Sequence, residues 1–402
     1  MGNNILIGLS GGPSVAINSS LAGIICAASK NSKLGKIYGA LHGIEGVIND
    51  NIVDLSSFCD EKSLQLLQQT PAMALGSCRH KLKTESFELI EAVLNKHEIG
   101  YLFYIGGNDS MDTVLQLSRY FTAKNSSIKV IGVPKTIDND LPVTDHTPGF
   151  GSSAKYLYHT MSEIIKDSEI YPVPSVVIVE IMGRNSGWLT LAAALPRFLG
   201  KAAPHIIAIP EVEFDEDEFI KKINSTLKNE KSVICVVSEG IKDKTDNYVG
   251  MDTKSGAVDS FGHTYLSGVG KYLESLVMRK IGCKVRSVEL NVMQRCASHL
   301  ASKTDLDEAK LIGQKAVEAA IQGQTGITMI FKRITNSPYT VEISATDVAD
   351  IANKAKDVPH TWFDLEDKNV QAEIAEYMLP LIKGDVEQIK DETGLPIYLN
   401  IK

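Results

Sequence analysis

The chain has 402 residues, of which 44% are hydrophobic and 22% charged, and its formal net charge is −8. Since single cores usually divide beyond about 250–300 residues, we expect two lobes with a cleft between them. The balance of hydrophobic and charged residues is typical of a globular protein and excludes wholesale disorder. The negative charge argues against a general nucleic-acid-binding protein, which needs excess lysine and arginine to neutralise phosphates.

The N-terminus predicts a first strand rather than a signal sequence or a lipid anchor. Its apolar run follows no basic region and breaks at Gly11, and Leu6 stands where a myristoylation signal needs Ser or Thr. No apolar run approaches the ~20 residues that span a bilayer. The six cysteines form no close Cys-x-x-Cys pair, so they fit neither a disulfide framework nor a zinc site. We expect a soluble, cytoplasmic protein with reduced thiols and no membrane partner.

Short apolar runs rich in β-branched residues recur along the chain and predict buried parallel strands. These runs span 5–9, 101–105, 129–133, 176–182, 206–209, 233–237 and 327–331. Helical periodicity lies between them, for example at 154–165 and 219–227. This alternation predicts an α/β fold with helices on both faces of a parallel sheet. A charged stretch at 364–402 has a mostly helical pattern.

Three early strands lead directly into polar loops with glycine or proline, at 10–13, 106–110 and 134–140. Ligands of such sheets bind at the carboxyl ends of strands, so we expect these loops to form a site. Gly11 and Gly12 suit close backbone approach to a phosphate, although paired glycines also form ordinary tight turns. Asn108, Asp109 and Ser110 follow a second glycine pair, and capping of a helix over 111–120 is the simpler explanation for Ser110.

The third loop combines Lys135 with two carboxylates, Asp138 and Asp140. Phosphoryl transfer needs a base for the hydroxyl proton, a cation for the transferring group and oxygen ligands for Mg²⁺. An Asx-type turn beside a solvated lysine is the alternative explanation.

The ordered motifs identify the chain as a member of a known family. The strings LSGG, GSCR, GGNDS, PKTIDND, TPGFGSSAKY, VEIMGRNSGW, SEG and VRSVELNVMQR, in this order over roughly residues 4–330, resemble the phosphofructokinases, and specifically their pyrophosphate-dependent branch. The resemblance implies two Rossmann-like lobes whose parallel sheets are flanked by helices. It assigns 1–142 and 296–333 to the phosphoryl-donor lobe, and 143–295 and 334–402 to a sugar-phosphate lobe with a C-terminal helical extension.

The resemblance also implies roles for individual residues in transfer from pyrophosphate to the 1-hydroxyl of fructose 6-phosphate. Asp138 corresponds to the general base, and Thr136 and Ile137 lie in the same substrate-facing loop. The donor side is expected to include Gly12, Arg79 and Ser110. The sugar phosphate is expected to contact Met182, Gly183, Arg184, Glu239, Arg286 and Arg295, with the last two arginines clamping the 6-phosphate.

Two positions imply pyrophosphate rather than ATP as the donor. Asp109 and Lys135 stand where the ATP-using branch has glycines. A carboxylate at 109 would repel a nucleotide α-phosphate, and Lys135 adds a charge that pyrophosphate can use. The alternative interpretation of these residues is that the protein is an ATP-dependent 6-phosphofructokinase.

Three departures from the family pattern affect other expectations. Asn108 replaces a frequent metal-binding aspartate, although its amide oxygen can still bind the expected Mg²⁺. Val292 replaces a substrate-contact residue, and Ser175 replaces an arginine that many relatives supply to a neighbouring subunit. A non-catalytic, sugar-phosphate-binding regulatory subunit is therefore a second alternative. We expect a homo-oligomer, either a dimer or a tetramer. His146 is expected to bond to backbone, and Trp188 to be buried at the start of a helix over 188–199.

Overall fold

Two separate β-sheets organise the computed structural model, which describes residues 2–170, 172–250 and 268–401. The strands, in chain order, are β1 (Asn4–Leu9), β2 (Ile37–Ala40), β3 (Ile52–Asp54), β4 (Ile99–Gly106), β5 (Lys129–Pro134), β6 (Ser175–Ile181), β7 (Ile206–Ala208), β8 (Ser232–Ser238), β9 (Lys284–Glu289), β10 (Ile327–Asn336) and β11 (Tyr339–Asp347). The helices are α1 (Ile17–Ser29), α2 (Gly43–Ile48), α3 (Glu61–Gln69), α4 (Thr84–Lys96), α5 (Asn108–Ala123), α6 (Phe150–Glu169), α7 (Trp188–Ala193), α8 (Leu195–Phe198), α9 (Glu216–Thr226), α10 (Val269–Lys280), α11 (Met293–Cys296), α12 (Lys303–Ile321) and α13 (Lys368–Met378).

The larger sheet has the strand order β11-β10-β5-β4-β1-β2-β3. Its five inner strands are parallel, whereas β3 and β11 pair antiparallel at the two edges. The smaller sheet has the order β7-β8-β6-β9, and all of its pairings are parallel. Strands and helices alternate because each strand-to-strand connection of a parallel sheet needs a crossover. The structure therefore confirms the predicted α/β class.

Helices cover both faces of the larger sheet. One face packs against α1, α3 and α12, and the other against α2, α4 and α5. Helices α1 and α12 approach closely because glycines lie at their contact. A Cβ at Gly313 would lie only 2.2 Å from the Ser20 carbonyl oxygen, and one at Gly23 would lie 2.0 Å from the Lys310 carbonyl oxygen. These two positions exclude any side chain.

The smaller sheet is likewise covered on both faces. Helices α6, α7, α8 and α13 pack on one face, and α9 and α10 on the other. Asp305, from α12, supports the N-terminus of α6. Its carboxylate accepts hydrogen bonds from the Gly149 and Ser152 amides over 2.9 and 3.0 Å. Those N–H groups have no partner within the helix, so the carboxylate satisfies them. Since α12 packs in the larger lobe and α6 in the smaller one, Asp305 also connects the two lobes.

Several predicted boundaries differ from the observed ones. Four strands were not predicted, namely β2, β3, β9 and β11, all short or partly exposed. The predicted helix over 188–199 is divided because Pro196, which lacks an amide N–H, lies in the first turn of α8. The pattern at 364–402 is helical mainly at α13.

The C-terminal part of the chain contacts both lobes. The predicted division after residue 333 does not follow the sheets, since β11 extends the larger sheet. Ile401 also packs in the larger lobe, whereas Trp362 and α13 pack in the smaller one. Within the described ranges, no helix is both long enough and apolar enough to cross a membrane. All six cysteines are free.

Candidate active site

A cleft of about 410 Å³ lies between the lobes, beside the carboxyl ends of β1, β4 and β5. These strands are adjacent and parallel, so the loops after them open on the same edge of the sheet. Loops after β6 and β8 form the opposite wall. Most predicted site residues line this cleft: Gly12, Arg79, Asn108, Asp109, Ser110, Lys135, Thr136, Ile137, Asp138, Met182, Arg184, Glu239 and Arg295.

Gly12 lies next to two cationic side chains. The preceding Gly11 has a φ of 81°, a left-handed conformation that favours glycine. Its carbonyl accepts a hydrogen bond from the Ser77 hydroxyl over 2.7 Å, which ties the first loop to the loop of Arg79. The Lys135 ammonium donates to the Gly12 carbonyl over 2.5 Å, and a Cβ at Gly12 would lie 3.6 Å from Arg295 Nη1. The backbone at Gly12, which lies beside these two cations, is therefore suited to binding an anion.

Helix α5 presents its N-terminus to the same cleft. It begins at Asn108, three residues earlier than predicted, and none of the described side chains caps it. Ser110 is therefore a first-turn residue rather than a cap, and the first amide N–H groups of the helix remain available to an anion. The Asn108 amide donates to the Lys354 carbonyl. Its Oδ1 is buried and accepts no hydrogen bond within the described residues.

The loop after β5 is held by the segment that follows it. The Thr136 amide donates to the Pro148 carbonyl over 3.2 Å, and the Thr147 hydroxyl donates to the Thr136 carbonyl over 2.8 Å. The Asp138 amide donates to the Thr136 hydroxyl over 3.1 Å. Asn139 is fully buried and has a φ of 54°. These contacts orient Asp138 within the cleft.

Burial shifts the protonation equilibria of this loop in opposite directions. It raises the pKa of the Asp138 carboxyl, against the attraction of Lys135 and Arg184. Burial and the nearby Asp138 charge raise the pKa of Asp140 to about 7. Burial lowers the pKa of Lys135 to about 7, although Asp138 favours its charged form. Asp140 and Lys135 therefore exchange protons near neutral pH, and Asp138 is a weaker acid than an exposed aspartate.

The smaller lobe contributes a second acidic group, Glu239, which follows β8. Its carboxylate accepts a hydrogen bond from the Gly183 amide over 3.2 Å. Burial raises the pKa of Glu239 to about 7, against that hydrogen bond. Arg184 lies close enough to favour the ionised forms of both Glu239 and Asp138. This wall therefore offers hydrogen-bond acceptors and a cation to a polar ligand.

Two predicted residues do not line the cleft. Arg286 is exposed on β9, the edge strand of the smaller sheet, so it does not join Arg295 in the cleft of the same chain. Gly183 lies behind the lining, where its amide orients Glu239. Of the positions that differ from the family pattern, Val292 is exposed and Ser175 is buried at the start of β6.

The prediction for His146 is wrong, because its ring contacts carboxylates rather than backbone. Nδ1 lies 2.8 Å from Asp145 and Nε2 lies 2.8 Å from Glu308. The ring is stacked on Phe331 with centroids 4.5 Å apart. The two carboxylates raise the pKa of His146 against the effect of burial. Trp188 is buried at the start of α7, as predicted.

Four further residues line the cleft and were not predicted: Asn185, Ser186, Asn353 and Ala355. Asn185 and Ser186 directly follow Arg184, so the motif around it could have indicated them. Asn353 and Ala355 come from the segment after β11. They lie far along the sequence from every motif and carry no local signal.

The described residues contain no group of three or more His, Cys, Asp or Glu side chains that could hold a metal on its own. The cleft does contain separate oxygen ligands, since Asp109, Asp138 and Asp140 line it together with Asn108. Such a set suits a metal that is held partly by phosphate oxygens of a ligand.

Comparisons with known proteins agree with this geometry. The phosphofructokinase family model matches residues 4–320. The pyrophosphate--fructose 6-phosphate 1-phosphotransferase of Halomonas elongata is 37% identical over 98% of this chain and 95% of its own length. Its counterpart from Xanthomonas campestris is 37% identical over 99% and 96%. The crystal structure of a pyrophosphate-dependent phosphofructokinase from Nitrosospira multiformis is 34% identical, with a TM-score of 0.88 over 100% of this chain and 96% of that one.

Proposed function

Because the chain belongs to the phosphofructokinase family, we propose that it transfers a phosphoryl group reversibly from pyrophosphate to the 1-hydroxyl of fructose 6-phosphate. The products are fructose 1,6-bisphosphate and phosphate, as in glycolysis. The observation that carries this proposal is the presence of Asp109, Lys135 and Asp138 in one cleft. The names of the Halomonas and Xanthomonas relatives support the same reaction.

The donor side of the cleft is formed by the larger lobe. Pyrophosphate would bind the backbone at Gly12 and the N-terminal turn of α5, including Ser110, where amide N–H groups donate hydrogen bonds to anions. Arg79 and Lys135 would neutralise its phosphates. Asp109, in the first turn of α5, would repel the α-phosphate of a nucleotide.

The acceptor side is formed mainly by the smaller lobe. Arg184 and Arg295 would bind the sugar phosphate, and Glu239 would accept hydrogen bonds from sugar hydroxyls. Met182, Gly183, Thr136 and Ile137 would shape the space around the sugar. The exposed position of Arg286 supports a role at the site of a neighbouring subunit in a homo-oligomer.

We propose Mg²⁺ as the cofactor. The buried Asn108 Oδ1 accepts no hydrogen bond from the described residues, which supports its use as a ligand. Mg²⁺ usually takes one or two protein oxygens and completes its shell with water and substrate phosphates, so Asn108 and the neighbouring carboxylates fit it. When bound, the ion would offset negative charge on the donor phosphates. The six free cysteines support a reducing, cytoplasmic location.

The chemistry of this chain's residues follows from their charges. Asp138, when ionised, accepts the proton of the sugar 1-hydroxyl as the sugar oxygen attacks phosphorus, while the bridging P–O bond of pyrophosphate breaks and phosphate leaves. Lys135 stabilises the charge of the transferring group. In the reverse direction, protonated Asp138 returns its proton to the sugar oxygen. Burial raises the pKa of this carboxyl, which favours the protonated form that the reverse direction needs.

Replacement of the base tests this function. Asp138→Asn should lower kcat by about 10²–10⁴-fold, because general acid–base catalysis contributes that much. The dissociation constant of fructose 6-phosphate, measured by calorimetry, should remain nearly unchanged. The matched control is Asp112→Asn, a carboxylate in α5 that does not line the cleft. Equal turnover in wild type and Asp138→Asn would refute the assignment.

Donor choice is tested by assaying wild type and the double variant Asp109→Gly, Lys135→Gly with pyrophosphate and ATP. The wild type should use pyrophosphate, and the double variant should lose that activity. Turnover of the wild type with ATP alone would instead favour an ATP-dependent enzyme. Absence of turnover with either donor would favour a non-catalytic sugar-phosphate-binding protein.

A further inference from the structure

The hydroxyl group of Tyr377 contacts the loop of Asp138 on the side away from the cleft. Tyr377 lies in α13, beyond the residues that the family model matches. Its hydroxyl accepts a hydrogen bond from the Asn139 side-chain amide over 2.9 Å and donates one to the Asp145 carbonyl over 2.7 Å. This side chain thus adds a link between the loop and the segment after it.

The residue that Tyr377 binds has a left-handed backbone conformation. Asn139 directly follows Asp138, is fully buried and has a φ of 54°. Residues other than glycine adopt this conformation infrequently, although asparagine does so more often than most, and the hydrogen bond to Tyr377 helps to hold it here. Rotation of the backbone at Asn139 would turn Asp138 away from its place in the cleft.

Lys356 reinforces the same loop from the segment before α13. Its amide donates to the Asp140 carbonyl over 2.7 Å. Its ammonium donates to the carbonyls of Thr144 and Asp145 over 3.1 and 2.9 Å. These contacts connect the end of the Asp138 loop with the segment that follows it.

We propose that Tyr377 is a positioning residue, which acts through Asn139 to keep Asp138 in its catalytic orientation, with Lys356 as a second support. The inference rests on the proposed function, since the role of Asp138 is part of it. Neither side chain lines the cleft, so neither is expected to touch substrate. Their removal should lower the rate of the chemical step and leave substrate binding intact.

The variant Tyr377→Phe removes the hydroxyl and keeps the ring. The ring packs against Trp188 and Trp362, with centroids 5.4 and 5.6 Å away, and the Arg333 guanidinium lies 4.5 Å from its centre. Tyr339→Phe is the matched control. Tyr339 also lies beside Arg333, at 5.1 Å, but its hydroxyl donates to Glu308 and does not touch the loop.

We expect Tyr377→Phe to lower kcat by about 10–100-fold, since small misplacements of catalytic groups have effects of this size. KM for pyrophosphate and for fructose 6-phosphate should change by less than about 3-fold, and Tyr339→Phe should keep the wild-type kcat. A second comparison uses Asn139→Gly, because glycine adopts positive φ without strain. In that background, adding Tyr377→Phe should lower kcat little further.

Three results would overturn the proposal: an unchanged kcat for Tyr377→Phe, an equal loss in Tyr339→Phe, or an equal loss with and without Asn139→Gly. The wild type is assayed in parallel with pyrophosphate. If the wild type turns over and any of these results is found, the positioning role of Tyr377 is rejected and the proposed function is not. Absence of wild-type turnover would reject the proposed function as well.

Discussion

We predict that kcat/KM for pyrophosphate falls at alkaline pH in the wild type, and that replacing Lys135 with arginine removes this fall. The Lys135 side chain is 2% exposed, and burial lowers its pKa to about 7. A lysine with a lowered pKa is charged below that value and neutral above it. The proposed donor site therefore loses a cation as the pH rises through 7, whereas a guanidinium at position 135 would stay charged.

The size of the effect follows from this pKa. Between pH 7 and pH 9 the charged fraction of Lys135 falls from about one half to about one hundredth, so kcat/KM for pyrophosphate should fall about 50-fold. In Lys135→Arg this fall should be absent, even if the larger side chain lowers activity at every pH. The ratio of kcat/KM in the variant to that in the wild type should therefore rise about 50-fold over this range.

The assay measures initial rates of fructose 1,6-bisphosphate formation from pH 6 to 9, at low pyrophosphate and saturating fructose 6-phosphate. Titration of pyrophosphate itself affects both proteins equally and cancels in the ratio. Lys135→Met, which is neutral throughout, is the control and should give a low activity without this alkaline fall. A ratio of Lys135→Arg to wild type that stays constant with pH would show that Lys135 does not titrate in this range.

Two further predictions concern binding and stability. Burial raises the pKa of Glu239 to about 7, so its ionised fraction rises from about 0.1 at pH 6 to about 0.9 at pH 8. Calorimetry should therefore show that the wild type gains more affinity for fructose 6-phosphate between pH 6 and pH 8 than Glu239→Gln does. Equal pH dependence of binding in the two proteins would contradict this role of Glu239. Gly313→Ala should lower the free energy of unfolding by about 1–3 kcal/mol in chemical denaturation, because its Cβ would overlap the Ser20 carbonyl. Glu318→Ala, on the exposed face of the same helix, should change it by less than about 0.5 kcal/mol, and an equal effect of both would refute close packing as the cause.

The central part of the fold and the site could be predicted from the sequence because the relevant signals are local. Buried parallel strands appear as continuous apolar runs, and the loops after them contain glycines and charged residues within a few positions. The adjacency of β1, β4 and β5 then brings Gly12, Asp109 and Asp138 to one edge. Edge strands such as β9 and β11 are partly exposed and lack such runs, so they were not predicted.

Local patterns along the chain were enough to predict the α/β class, the three loops at the strand ends and the family. Which charged side chains share the cleft depends on how the chain packs: Arg295 lines it, whereas Arg286 lies exposed on the edge of the smaller sheet. The contacts of Tyr377 and Lys356 with the loop of Asp138 depend on packing in the same way. Hydrogen bonds between residues more than 200 positions apart depend on how the lobes pack, and packing leaves no periodic signal along the chain.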